Sequence, residues 1–382
     1  MSVQLRRALA APGGPSLQRA ASVEATQFFF GNFQMAWSLC RLGGGGAAAR
    51  LDGAGQCASS NSGAAPLRAV SLVNGLALGG GAALAAHAGA TVVTERAAWG
   101  MPEGRLGFFV DAGVGTLVLP RLPGRTGEWL ALTGARLGCR DLVRLGIATH
   151  AVAAAAVPAL AARLATGDNA ARALAEAQTD APAPELEVPF APTTPLPPPD
   201  ELDAAFSART VEDVRTRLRA AAEAGRAWAA EALKALEASS PVSARVNLTL
   251  VRLSRDRWAG GIVRPWDRPI GAPPDTRLAA PWRTPMGAAD VARSALALDW
   301  RLTAAHVVLD GRGELRSDLL EGVDSTFGRR PPRWRLGWGA KDAGAADAAA
   351  VALVAEAEGD PPPWLPLPPM LFPDAGGGGA RL

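Results

Sequence analysis

Three consecutive glycines, Gly79-Gly80-Gly81, constrain this chain more than any other local feature. Residues 69–73 before them are a short apolar stretch of strand character, and residues 82–88 after them read as a small-residue helix. Residues 91–94 are β-branched and read as a second strand. Strand, glycine turn, helix and strand in so short a span predict a layered α/β structure. The alternation continues. Residues 128–133 and 140–145 are expected as short helices ending at Gly134 and Gly146, 148–152 as a strand, and 158–164 as a helix with Pro158 in its first turn.

Glycines at a helix start leave backbone N–H groups unobstructed, with the positive end of the helix dipole behind them. Such groups can hold an anionic oxygen. They can equally serve only to let helix and strand pack closely. Downstream, Glu103 and Asp111 stand among Trp99, Met101, Phe108, Phe109 and Val110. Apolar surroundings disfavour the ionised carboxylate and raise its pKa toward the range useful for acid–base chemistry. The competing reading is that both acids cap helix starts.

These patterns occur in an order that resembles the 3-hydroxyisobutyryl-CoA hydrolase branch of the crotonase superfamily, also called enoyl-CoA hydratase/isomerase. After the triplet come Met101-Pro102-Glu103, Phe108-x-x-Asp111-x-Gly113, Leu119-Pro120-Arg121-Leu122-Pro123-Gly124, Leu130-Ala131-Leu132-Thr133-Gly134 and Ala148-Thr149-His150-x-Val152. The match is dense over residues 67–152 and weaker over 26–42, 206–253 and 298–334. The resemblance implies an α/β fold, a crotonase-like ββα spiral followed by a helical C-terminal region. It implies that the Gly80 N–H, next to Gly79, stabilises the thioester oxyanion, that Glu103 acts as base or nucleophile, and that Asp111 contacts the substrate's 3-hydroxyl. The implied reaction is hydrolysis of 3-hydroxyisobutyryl-CoA, in valine breakdown, to 3-hydroxyisobutyrate and coenzyme A. No cofactor or metal is implied, since coenzyme A is part of the substrate. Related hydratases carry a second glutamate two residues after the triplet; here that position is Ala83, which favours hydrolysis over hydration.

The pattern departs upstream. The family's loop of the form Cys-Ala-Gly-Gly-Asp, which supplies a second oxyanion N–H, has no counterpart here, so the spiral is expected to be incomplete at its N-terminus. Two alternatives therefore stand beside the hydrolase: an enoyl-CoA hydratase/isomerase, and an inactive crotonase-fold protein.

Composition bounds the rest. The net charge of +3, without a dense basic stripe, permits an anionic acyl-CoA and argues against nucleic acid. No apolar run is long enough to span a bilayer. Cys40, Cys57 and Cys139 are odd in number and scattered, which favours a reducing compartment. Arg6, Arg7 and Arg19 with no acid before Glu24 suit a mitochondrial leader, whereas Ala380-Arg381-Leu382 is similar to a peroxisomal signal. His150 is expected to be structural; His87 and His306 lack metal-ligand spacing. A homo-oligomer is compatible with these features.

The expected organisation is a targeting or disordered segment at 1–21 and a partial crotonase-like core at 22–166, with a helix at 22–42 and a flexible insertion at 43–65. A Pro-rich linker at 167–201 follows, then a mainly helical region at 202–336. Within that region 210–238 and 289–305 read as helices, 242–253 as helix or strand, and 255–286 as an irregular insertion. Residues 337–382, mostly Ala, Gly and Pro, are expected to be poorly ordered.

Overall fold

A computed structural model of the chain describes residues 48–51, 57–60, 70–166, 168–178, 193–258, 289–307 and 317–358. The expected leader at 1–21, the helix at 22–42 and the terminal tripeptide lie outside the described residues, as does 259–286 of the expected insertion. Strands β1 (Ala48–Leu51) and β2 (Cys57–Ser60) pair antiparallel. The segment 43–65, expected to be a flexible insertion, thus contains two paired strands.

The ββα repeat begins at β3 (Val70–Val73), followed by β4 (Leu76–Leu78) and helix α1 (Gly80–His87). A second turn supplies β5 (Ala90–Val93), β6 (Ala98–Gly100) and a 3-10 turn at Glu103–Leu106. Strand β5 lies parallel to β3, Val70 beside Ala90, and β6 lies parallel to β4, Leu76 beside Ala98. The chain therefore builds two parallel sheets at once, laying each new turn on the previous one. Strand β7 (His150–Ala151) adds a third parallel strand beside β5. All four residues of β5 are buried, as a parallel strand covered on both faces requires.

Between β6 and β7 the chain forms a π-helical turn at Val114–Val118, α2 (Thr126–Thr133) and α3 (Cys139–Arg144). After β7 come α4 (Val157–Ala165) and α5 (Ala170–Ala177). Helix α5 begins where a linker was expected: Asn169 accepts the Arg172 N–H, and Ala173 and Leu174 are fully buried. The helical region comprises α6 (Pro199–Phe206), α7 (Val211–Glu223), α8 (Ala227–Glu237), α9 (Pro241–Trp258), α10 (Ala289–Val307), α11 (Leu319–Phe327) and α12 (Ala340–Glu358). Residues 210–238 form two helices rather than one, separated at Gly225. The undecided stretch 242–253 is helical, and its helix runs on through Arg255 to Trp258, into the segment expected to be irregular.

Helix α12 corrects, for residues 340–358, the expectation that 337–382 is poorly ordered; 359–382 lie outside the described residues. Its Ala346, Ala350, Leu353, Val354 and Ala357 are buried in a core shared with Phe108, Phe109, Leu117 and α9–α11. An alanine-rich sequence looks poor in core material, but close helix–helix approach lets small side chains fill the contact. A second core, containing Trp99, Trp129 and Phe206, joins the spiral to α6–α9. A buried ion pair fastens α9 to α2. Glu128 is fully buried and accepts from Arg255 at 2.5 and 2.7 Å and from Arg125 at 2.8 Å. Burial alone would raise its pKa; the hydrogen bonds and charges of Arg255 and Arg125 outweigh it and hold the carboxyl below its ordinary value.

If α12 completes the core, Leu353→Ala lowers stability by about 2–4 kcal/mol, measured as a fall in the chemical-denaturation midpoint. A disordered tail would show no change.

Candidate active site

The triplet forms a turn only glycine adopts readily. Gly79 has φ 55° and ψ −122°, and its N–H donates to the Gly100 carbonyl at 3.1 Å. Helix α1 starts immediately after it, with no side-chain cap, and its first internal bond runs from the Ala83 N–H to the Gly79 carbonyl at 2.9 Å. The N–H groups of Gly80, Gly81 and Ala82 therefore belong to the orphaned first turn. Gly80 is half-buried and Gly81 exposed, so this helix start faces an accessible surface. Trp99 ties it to the next turn of the spiral by donating its indole N–H to the Ala82 carbonyl at 2.8 Å.

Three residues beyond Gly100, Glu103 opens the 3-10 turn and meets the triplet directly. A Cβ placed on Gly79 would lie 2.7 Å from Glu103 Oε1, so the absent side chain is what lets the carboxyl approach. Glu103 is 7% exposed, and its Oε2 is buried with no hydrogen-bond partner. Burial drives its pKa well up, the charge of Asp111 adds to the rise, and its own backbone N–H opposes it.

Asp111 is 4% exposed, its pKa pushed up to about 7 by burial against the pull of its own N–H. The capping reading of the two acids does not hold: neither the 3-10 turn nor the π-helical turn receives a side-chain cap hydrogen bond. Asp111 sits instead before a left-handed pair, Ala112 at φ 54° and Gly113 at φ 77°. For alanine that conformation costs about 1 kcal/mol or more, strain of the kind that collects at functional sites.

Residues from the helical region hold both acid-bearing segments. The Ser240 N–H donates to the Gly104 carbonyl at 2.9 Å, and Asn247 accepts the Val110 N–H at 2.8 Å while donating to the Ala131 carbonyl. The structure thus brings together Gly79, Gly80, Glu103 and Asp111, all expected from the sequence. Ala83 is buried two residues past the triplet and offers no second carboxylate there.

Sequence reasoning passed over Asp299, a fully buried acid of α10 that accepts the Gly113 N–H at 2.6 Å. Its pKa is raised well above the ordinary value by burial, and further by Asp111's charge. The signal was an acid inside an apolar helix, Leu296-Ala297-Leu298-Asp299-Trp300. His87 likewise reaches the loop, donating from Nε2 to the Ala112 carbonyl at 2.8 Å. His306 is buried against Phe108 and Phe109, and burial lowers its pKa to about 4. His150 is buried in β7, its Nδ1 hydrogen-bonded to the neighbouring Thr149 hydroxyl. Among the described residues no cluster of His, Cys, Asp or Glu is arranged to hold a metal ion.

The raised pKa of Asp111 links to stability with a definite sign. The folded state keeps this proton up to pH about 7, whereas an ordinary aspartate loses it near 3.8. Its contribution is complete below pH 3.8 and declines as pH rises through 7. Asp111→Asn is therefore expected to melt close to the parent at low pH and increasingly above it from pH 4 to 8, as followed by thermal denaturation.

A family model for enoyl-CoA hydratase/isomerase matches residues 63–259. The chain is 34% identical over 196 residues to 3-hydroxyisobutyryl-CoA hydrolase 1 of Arabidopsis thaliana, covering 50% of each chain. It is 36% identical over 184 residues to the mitochondrial 3-hydroxyisobutyryl-CoA hydrolase of Homo sapiens, covering 47% of this chain and 46% of that one. The chain thus spans about half the length of the curated relatives it matches. Among solved structures, an enoyl-CoA hydratase from Rhodobacter sphaeroides aligns with a TM-score of 0.52 at 33% identity, over 75% of this chain and 67% of the other. A carnitinyl-CoA dehydratase from Mycobacterium thermoresistibile gives 0.55 at 25% identity, over 77% and 68%. The matched family, the doubled parallel strands and the glycine-to-glutamate contact agree: the chain belongs to the enoyl-CoA hydratase/isomerase family.

Proposed function

We propose that this protein hydrolyses the thioester of 3-hydroxyisobutyryl-CoA, giving 3-hydroxyisobutyrate and coenzyme A. The observation that carries the reading is the carboxyl of Glu103 lying against Gly79, beside the uncapped start of α1, with one oxygen buried and unpartnered. The names of the relatives, 3-hydroxyisobutyryl-CoA hydrolases, supply the substrate. Ala83 supports hydrolysis over hydration, because a hydratase of this type uses a second carboxylate at that position.

In this mechanism the Gly80 N–H donates to the thioester oxygen as it becomes an oxyanion. A preorganised amide aimed at the developing charge stabilises it without the reorganisation that water requires. Glu103 works in its ionised form. As a nucleophile it bonds to the acyl carbon while the C–S bond breaks, and water then cleaves the resulting anhydride. As a base it takes a proton from water, whose oxygen bonds to the acyl carbon, and the thiolate leaves and is protonated. Asp111 hydrogen-bonds the substrate's 3-hydroxyl. Coenzyme A enters as part of the substrate, and no separate cofactor takes part. The site acts on a small molecule; no helix among the described residues is long and apolar enough to cross a membrane. A mitochondrial location follows the naming of the mammalian relatives, with a peroxisomal one as the alternative suggested by the last three residues.

Purified protein is expected to release free thiol from 3-hydroxyisobutyryl-CoA, detected colorimetrically, at a rate that rises with pH as Glu103 ionises. Glu103→Gln should lower kcat by roughly a hundredfold or more. Faster hydration of crotonyl-CoA than hydrolysis would replace this reading with a hydratase. Thiol release unaffected by Glu103→Gln would remove Glu103 from the mechanism.

A further inference from the structure

The hydrogen bonds of His87 and Asp299 share one feature: they end on the same peptide group. The carbonyl of Ala112 and the N–H of Gly113 belong to a single amide plane. His87, the last residue of α1, donates to that carbonyl at 2.8 Å, and Asp299 of α10 accepts from that N–H at 2.6 Å. The gripped amide joins the two left-handed residues that follow Asp111, Ala112 at φ 54° and Gly113 at φ 77°. There is no slack around it. A Cβ on Gly113 would fall 2.9 Å from His87 Nε2 and 3.0 Å from Leu296 Cδ2.

We infer that His87 and Asp299 form a two-sided clamp on the Ala112–Gly113 peptide, and that Asp299 is a positioning residue that fixes the carboxyl of Asp111 in the site. The inference rests on the hydrolase reading for the role of Asp111, but the clamp itself is independent of which acyl-CoA is bound.

The physical argument begins with strain. A left-handed alanine relaxes unless something outside the loop holds it. A donor on the carbonyl and a carboxyl acceptor on the N–H polarise the amide in the same sense, so each bond strengthens the other. Helix α1 begins at the glycine triplet and ends at His87. One rigid element therefore spaces the Gly80 amide from the Asp111 loop, and α10 presses the loop against it. The groups facing this region come from each packed element: Glu103 from the 3-10 turn, His87 from α1, Asp299 and His306 from α10, and the neutral Asn247 from α9. Asp299 is fully buried, so it acts through the peptide it grips rather than on substrate.

The clamp also explains how Asp111 remains shielded. Its acidity is shifted chiefly by burial, and burial lasts only while the loop stays closed. Loosening the peptide admits water and returns the group toward an ordinary carboxyl.

The test follows the titration of Asp111 by carbon-13 NMR in aspartate-labelled full-length chain, the signal being assigned by its loss in Asp111→Asn. In the parent the midpoint is expected near 7. Asp299→Ala should lower it by about one pH unit or more, and Asp299→Asn, which keeps an acceptor for the Gly113 N–H, should restore most of that shift. His87→Ala attacks the other side of the same amide and should move the midpoint in the same direction; it carries the test if Asp299→Ala fails to fold. In the thiol-release assay Asp299→Ala should reduce kcat by roughly ten- to a hundredfold with KM little changed, again recovered by Asp299→Asn. An unchanged Asp111 midpoint in Asp299→Ala or His87→Ala overturns the clamp. A shifted midpoint in a parent that releases no thiol overturns the hydrolase reading and leaves the clamp standing.

Discussion

Two carboxyl groups shut away from water, each within reach of the other's charge, set the terms for the rest of this structure. Glu103 and Asp111 raise one another's cost of ionisation, and a chain with any freedom would swing one of them out to solvent. Keeping both inside requires that the backbone on either side be held from outside the loop. The spiral does part of this. Gly79 and Gly100 are joined by a hydrogen bond, so the helix start on one turn and the glutamate on the next move as one unit.

The helical region does the remainder. Its residues reach back to the acid-bearing segments through Ser240 to Gly104, Asn247 to Val110, and Asp299 to Gly113. Each contact lands within two residues of Glu103 or Asp111. The Glu128–Arg255 pair and the core around Phe108 and Phe109 keep those helices in place. The spiral therefore carries Gly79, Gly80, Glu103 and Asp111, and the helices brace the segments that bear the two acids. Burial biases the three acids Glu103, Asp111 and Asp299 toward their neutral form, the reverse of Glu128, whose burial is offset by arginines. Arginines hold Glu128 toward its ionised form, whereas burial disfavours ionisation of the other three.

Much of this is legible in the amino-acid sequence. The glycine triplet, Glu103 and Asp111 were recognisable because each is a chemically odd residue in a patterned background. The strands at residues 69–73 and 91–94 were found to within a residue because their apolar and β-branched runs are short and bounded. The helical tail at Ala340–Glu358 was missed because alanine carries little hydrophobic signal, although it packs well once a partner helix lies close. The helix at Ala170–Ala177 was missed for the same reason, hidden by the prolines that follow it. The stretch 242–253 was ambiguous because it is buried on nearly every side, which erases the periodicity that separates helix from strand.

The sequence by itself determined the order of the spiral's elements, the glycine turn and the two acids that accompany it, because these depend on local backbone preference and residue chemistry. Only the tertiary structure decided that Glu103 rests on Gly79, that Asp111 is denied water, and that Asp299 and His87 meet on one peptide. Those contacts join residues far apart along the chain, and burial, which shifts the acids, is a property of the packed assembly that no single segment carries.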